Sequence, residues 1–169
     1  MTEKNGTGFR AAVITSSDKG YAGEREDVSG RVVRELLTAR GYTIARYVVL
    51  PDEFDLLKKE MEDICDSNVA DLLITTGGTG FAPRDCMPEA TLAVAERVVP
   101  GIPEAMRQSS LRITGRAMLS RAVSAIRKRT LIVNLPGSPK SVRENLEAVL
   151  SDLAHGLEML TERSAECAR

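Results

Sequence analysis

Excess charge of either sign is missing from this 169-residue chain: 23 lysines and arginines stand against 24 aspartates and glutamates. A dedicated nucleic-acid binder usually carries a basic excess, so nucleic acid is not an expected partner, although a local patch can hide inside a balanced total. Long apolar runs are also missing. None approaches the ~18 residues needed to span a bilayer, and the stretch from Met1 to Arg10 is polar without a secretory apolar core. No membrane partner is expected, and the expected location is the cytoplasm. Cysteine is sparse: Cys65, Cys86 and Cys167 are an odd set with no CxxC pair, which suits a reducing compartment. Histidine is sparser still. His155 alone leaves too few ligands for a Cys/His zinc site and would carry the whole proton traffic of any catalytic triad, which argues against hydrolysis by either route. There is no repeat, linker or low-complexity segment, so a single domain over residues 1–169 is expected, loose at roughly ten N-terminal and nine C-terminal residues.

What is present reads as alternating strands and helices. Ala11 to Thr15 is a short β-branched run ending in the turn formers Ser16, Ser17 and Asp18. A Gly- and charge-rich loop to Asp27 precedes Val28, Val32, Val33, Leu36 and Leu37 at helical spacing, closed by Gly41. Thr43 to Leu50 reads as a second strand. Phe54, Leu57, Met61 and Ile64 mark one helix face, and Asp71 to Thr76 a third strand. Pro88 opens a further helix that Pro100-Gly101 is expected to stop, and another covers Pro103 to Leu111. Ala122 to Ile126 and Thr130 to Leu135 read as a hairpin about Arg127-Lys128-Arg129. The last helix carries Val142, Leu146, Val149, Leu150, Leu153, Leu157 and Leu160 on one face. The expected class is therefore α/β: a three-layer sandwich with a mostly parallel central sheet flanked by helices, plus a C-terminal β-hairpin.

Ligands of such sheets bind beyond the carboxyl ends of the strands. Three segments should share that rim: Ser16-Ser17-Asp18, Pro51-Asp52-Glu53 and Thr75-Thr76-Gly77-Gly78-Thr79-Gly80. The glycines let backbone N–H groups approach an anion, which suits phosphate, yet no P-loop follows and a GxGxxG match starting at Gly78 fails at Pro83. Asp52 and Asp85 come from separate loops, as a Mg²⁺ site on a nucleotide requires, because Mg²⁺ takes one or two protein oxygens and leaves the rest to water and phosphate. Asp85 has a second reading as the cap of the helix near Met87. Arg84 is a phosphate fork or a solvated residue. Cys86 reads as a small buried thiol rather than a nucleophile, and His155 as a packing or surface residue.

The whole phrase from Thr75 to Thr91, TTGGTGFAPRDCMPEAT, is more specific than its glycines and resembles the signature of the molybdopterin-binding family, MogA-type proteins in particular. Thr15 to Asp18, Pro51 to Glu53, Met118 to Arg121 and Leu131 to Lys140, the last containing Pro136, Gly137 and Ser138, are similar to further motifs of that family in the same order. The resemblance implies transfer of AMP from ATP to the terminal phosphate of molybdopterin, giving adenylyl-molybdopterin and pyrophosphate on the way to molybdenum cofactor. It places the family's two acidic positions on Asp52 and Asp85, expected to be catalytic and to hold Mg²⁺. It places substrate or nucleotide contacts on Ser17, Asp18, Thr76, Gly77, Gly78, Thr79, Gly80, Arg84, Ser120, Arg121, Pro136, Gly137 and Ser138. A homotrimer and hand-over to a molybdate-insertion protein are also implied. The competing readings are a MoaB-like or molybdate-insertion relative, a non-catalytic pterin-binding protein, and a nucleotide-binding regulator.

Overall fold

The computed structural model describes residues 7–162. Runs with no polar alternation become strands covered on both faces, because helices pack against each side of the sheet. The first, β1 (Arg10–Ser16), is buried beyond its first residue. After a four-residue helix, α1 (Asp18–Tyr21), Asp27 caps α2 (Val28–Ala39) by accepting from the Gly30 N–H. β2 (Thr43–Leu50) alternates in exposure, as an edge strand does, and α3 (Phe54–Asp66) buries Leu57, Met61, Ile64 and Cys65. Phe54, expected on that face, stands at the helix start and is exposed. β3 (Leu72–Thr76) is wholly buried. Then come α4 (Met87–Val94), a two-residue strand β4 (Arg97–Val98), α5 (Gly101–Leu111) and a 3-10 turn (Gly115–Leu119). The chain closes with β5 (Ser124–Arg127), β6 (Thr130–Leu135) and α6 (Pro139–Leu160).

The six strands run in the order β2-β1-β3-β6-β5-β4. β1 is parallel to β2 and to β3, β3 is parallel to β6, and β5 and β4 add an antiparallel edge. The expected mixed sheet and hairpin are present, with β6 serving both as the hairpin's return strand and as the fourth parallel strand. One apolar cluster joins α2, α5 and α6 to one face, and a second joins α3 and α4 to the other. Pro100-Gly101 does not stop the helix begun at Met87. That helix already ends at Val94, and Pro100 instead stands at the start of α5, where its missing N–H is harmless.

The polar start is firmly held from Phe9 onward: Phe9 is buried against Tyr42, and the Arg10 N–H donates to Asp71 Oδ2 at 2.8 Å. At the other end Thr161 is buried, its hydroxyl donating to the Leu157 carbonyl. The remainder of both expected loose ends, residues 1–6 and 163–169, lies outside the described residues, as does Cys167. Among the described residues no helix is long and apolar enough to cross a membrane.

Candidate active site

The parallel register sets the ends of four strands side by side: Ser16 opposite Leu50, Thr15 opposite Thr76, and Thr76 opposite Leu135. The loops that follow are therefore neighbours, and they carry Ser17-Asp18, Asp52, the glycine turn and Pro136-Gly137-Ser138. Gly77 is forced by this crowding. Its φ is +91°, and a methyl group there would stand 2.3 Å from the Ser16 carbonyl oxygen. Gly137 lies against it, with its own carbonyl accepting from Ser29 Oγ at 2.7 Å. Thr76 Oγ1 donates to the Pro136 carbonyl at 2.6 Å, tying the two loops together.

The amide of Gly77 is already used, donating to the Leu135 carbonyl at 3.3 Å. The N–H groups of Gly78, Thr79 and Gly80 have no acceptor among the described residues. The anion cradle that the glycines suggested is thus three amides wide and begins at Gly78.

Asp52 and Asp85 flank that turn. A methyl on Gly78 would lie 3.5 Å from Asp52 Oδ1, and one on Gly80 would lie 2.8 Å from Asp85 Oδ2. Ser16 Oγ donates to Asp52 Oδ1 at 2.5 Å and the Asp18 N–H to Asp52 Oδ2 at 3.2 Å, so the carboxylate is aimed by two donors. Asp85 accepts from the Ala82 N–H at 3.1 Å. It is not a helix cap: Cys86 occupies the position before α4, and no side chain caps that end.

Both carboxylates line a cavity of about 570 Å³ with Ser16, Ser17, Gly77, Gly78, Gly137 and Ser138. A second cavity of about 450 Å³ is lined by Thr79, Gly80, Ser110, Arg116, Ser120 and Pro136, among others. Gly78, Asp85, Gly137 and Ser138 line both, so the two spaces adjoin along a shared wall. A pair of anionic ligands meeting at that wall would face free amides and carboxylates together.

Residues 12–155 match the family described as "Probable molybdopterin binding domain". The chain belongs to that family. It is 41% identical over 152 residues to a molybdopterin adenylyltransferase of Helicobacter pylori (strain J99), covering 88% of this chain and 85% of that protein. It is 42% identical over 143 residues to the molybdopterin adenylyltransferase of Escherichia coli (strain K12), covering 83% and 73%. The solved structure of the molybdopterin biosynthesis enzyme MoaB from Thermus thermophilus superimposes with a TM-score of 0.86 at 49% identity, over 91% of this chain and 97% of that one.

Within this molybdopterin-binding domain the two arginines singled out from sequence contact protein groups. Arg84 forks onto Asp18, Nε to Oδ2 at 2.6 Å and Nη2 to Oδ1 at 2.9 Å, and also reaches Glu53. Its guanidinium holds the Asp18 carboxyl below the ordinary carboxylate range, and Arg84 lines neither cavity. Arg121 donates from Nε to the Gly80 carbonyl at 2.7 Å and from Nη2 to the Asp85 carbonyl at 2.9 Å, and pairs with Glu89. It clamps the glycine turn through that turn's carbonyl oxygens. Ser17 Oγ accepts from the Gly20 N–H and so caps α1. Burial pushes the Cys86 thiol up, with Asp52 adding to the effect, while His155 lines a different, apolar cavity beside α6. Among the described residues no Cys-His pair stands at the rim.

For Mg²⁺ the donor set is suitable. The cavity offers the Asp52 and Asp85 carboxylates beside the glycine turn, those of Glu26 and Asp27 further along its wall, and serine hydroxyls, all hard oxygen, and an ion that keeps several waters and binds phosphate needs no more. No group of three metal-ligating His, Cys, Asp or Glu side chains exists among the described residues.

Sequence reasoning missed Asp27, Ser29, Ser110, Arg116 and Asn145, all of which line the two cavities. Asp27 left a signal, an aspartate directly before a helical run that contains Gly30. Its Oδ2 accepts from Thr15 Oγ1 and from Tyr47 Oη, each at 2.6 Å. The others left none.

Proposed function

We propose that this protein catalyses Mg²⁺-dependent transfer of AMP from ATP to the terminal phosphate of molybdopterin, releasing pyrophosphate. The observation that carries this reading is the wall of Gly78, Asp85, Gly137 and Ser138 shared by two adjoining cavities. A two-substrate phosphoryl transfer needs such a meeting place, and the names of the relatives agree with it.

The acceptor phosphate is an anionic nucleophile from the outset, so the reaction needs alignment and charge neutralisation more than a general base. The amides of Gly78, Thr79 and Gly80 donate to phosphoryl oxygens, where fixed dipoles lower the barrier without reorganising. Asp52, aimed by Ser16 and the Asp18 N–H, and Asp85 would hold Mg²⁺, which would supply positive charge to the triphosphate. Arg84 fixes Asp18, and through it the loop that aims Asp52. Arg121 holds the turn from its carbonyl side. Pro136, Gly137 and Ser138 line the acceptor side, and Thr76 anchors them.

Incubating the purified protein anaerobically with molybdopterin and Mg²⁺-ATP tests the reading. Pyrophosphate release that requires molybdopterin supports it. Molybdopterin binding without pyrophosphate would leave a pterin-binding protein, and ATP binding without molybdopterin binding a nucleotide-binding regulator.

The same proposal includes a homotrimer, hand-over of the product to a molybdate-insertion protein, and a cytoplasmic location. Exposed Leu111, Ile113, Met118 and Leu119, which follow one another along the end of α5 and the 3-10 turn, support self-association. Light scattering on a sizing column should give three times the chain mass, and a monomer would overturn that part.

A further inference from the structure

Asp27 lines the first cavity, yet its carboxylate is already occupied by the protein. Oδ1 accepts from the Gly30 N–H at 2.8 Å, and Oδ2 accepts from Thr15 Oγ1 and from Tyr47 Oη, each at 2.6 Å. These three donors fill most of the about four lone-pair sites of a carboxylate, and charge-assisted bonds this short fix its place. The packing is closest at Gly30, where a methyl group would stand 2.1 Å from Asp27 Oδ2 and 2.6 Å from Thr15 Oγ1. Arg34 joins from the next turn of α2, its guanidinium carbon 4.1 Å from the centre of the Tyr47 ring and its Nε donating to the Gly30 carbonyl at 3.3 Å. The first turn of α2 is thus gripped from β1 and from the edge strand β2. Its other contact is with the shared wall, where Ser29 Oγ donates to the Gly137 carbonyl at 2.7 Å. Tyr47 itself lines neither cavity.

We propose that Tyr47 is a positioning residue: its hydroxyl holds the Asp27 cap, the cap fixes the first turn of α2, and through Ser29 that turn sets the place of Gly137 on the shared wall. Its effect on turnover rests on the adenylyl-transfer reading, whereas the linkage from Tyr47 to Gly137 is measurable without any substrate. No motif marks this tyrosine, which lies on an edge strand away from the loops of the rim.

Tyr47→Phe keeps the ring beneath Arg34 and removes only the donor. Losing one hydrogen bond from the cap should lower kcat roughly three- to ten-fold, while the equilibrium Kd values for ATP and molybdopterin stay within about two-fold. Ser29→Ala breaks the same linkage at its other end, so a variant carrying both changes should be no slower than the slower single variant. Hydrogen exchange followed by mass spectrometry, with no substrate present, should be faster in Tyr47→Phe at the segment holding Gly137 and Ser138 and unchanged at β5. A tyrosine with a merely structural role would lower the thermal midpoint and leave kcat and that segment as they were. Parental kcat in Tyr47→Phe overturns the proposal, as do single-variant losses that multiply in the double variant or unchanged exchange at Gly137. If the parent releases no pyrophosphate the catalytic reading fails, and the exchange measurement alone then decides the linkage.

Discussion

Gly77 and Gly78 are adjacent, both with positive φ, and should fail in different ways when given a side chain. At Gly77, with φ of +91°, a methyl would stand 2.3 Å from a backbone oxygen, that of Ser16, so no rotamer change can relieve the contact. Strain of about 1–2 kcal/mol for the left-handed backbone adds to a forced main-chain shift of about 1–3 kcal/mol. For Gly77→Ala a central value of about 3 kcal/mol lowers the melting temperature of a chain this size by roughly 6–12 °C. At Gly78, with φ of +67°, the nearest atoms are Met87 Cβ at 3.3 Å, Ser16 Oγ at 3.4 Å and Asp52 Oδ1 at 3.5 Å, all side-chain atoms. Gly78→Ala should therefore cost only about 1 kcal/mol, or roughly 2–4 °C. Its methyl group makes ordinary contact with Asp52 Oδ1 and occupies space beside a free amide on the cavity wall, where a phosphate would have to approach, so turnover falls further than stability does. Calorimetry together with pyrophosphate release at saturating substrates reads both quantities. A Gly77→Ala variant melting within about 2 °C of the parent, or a Gly78→Ala variant with parental turnover, would refute the geometry on which the cradle rests.

Asp85→Asn should lower kcat by roughly 30- to 1000-fold, corresponding to about 2–4 kcal/mol of lost charge stabilisation, while molybdopterin still binds by fluorescence titration. Arg121→Ala releases the carbonyls of Gly80 and Asp85, and a turn displaced by about 1 Å should cost on the order of 100-fold in kcat/KM. Arg121→Lys should not restore that loss, because one ammonium cannot fork onto two carbonyls as a guanidinium does. Away from the site, hydrogen bonding from Arg127 lowers the Asp66 pKa from 3.8 to about 2. A depressed carboxylate stabilises the fold above its unfolded pKa and loses that contribution as pH falls through the folded value. The gap in melting temperature between parent and Asp66→Asn should thus be constant at neutral pH and close as pH drops from 3.8 toward 2.

Most of the architecture was legible because burial on both sheet faces leaves a strand few residue types. Ala11 to Thr15 and Thr130 to Leu135 could scarcely be anything else, and the six apolar residues that α6 buries on one face have no other use. Pro100-Gly101 misled because proline before glycine is compatible with either end of a helix. The decision falls to β4, two residues that have meaning only beside β5. The candidate site was legible in its backbone turn and less so in the contacts of its side chains. Glycines advertise a close approach through their composition, whereas the partner of Arg84 is 66 positions away and that of Ser110 is missing altogether among the described residues. No local pattern encodes either fact.

That difference has a chemical consequence. An arginine beside a glycine turn suggests a phosphate clamp, and with both Arg84 and Arg121 free the triphosphate would have two fixed positive charges. The fold instead binds them to Asp18, Glu53, Glu89 and two carbonyls. Arg25 and Arg116 line the cavities without carboxylate partners among the described residues, but neither belongs to the wall that the two cavities share. On the proposed reading, charge neutralisation there would fall to three amides and to a cation held by Asp52 and Asp85. Turnover should accordingly depend strictly on a divalent cation. Excess EDTA should remove pyrophosphate release, Mg²⁺ should restore it, and high monovalent salt should not substitute. Substantial turnover in EDTA would mean that one of the two arginines leaves its protein partners for the phosphate, and the roles assigned to Asp18 and Glu89 would then have to be reversed.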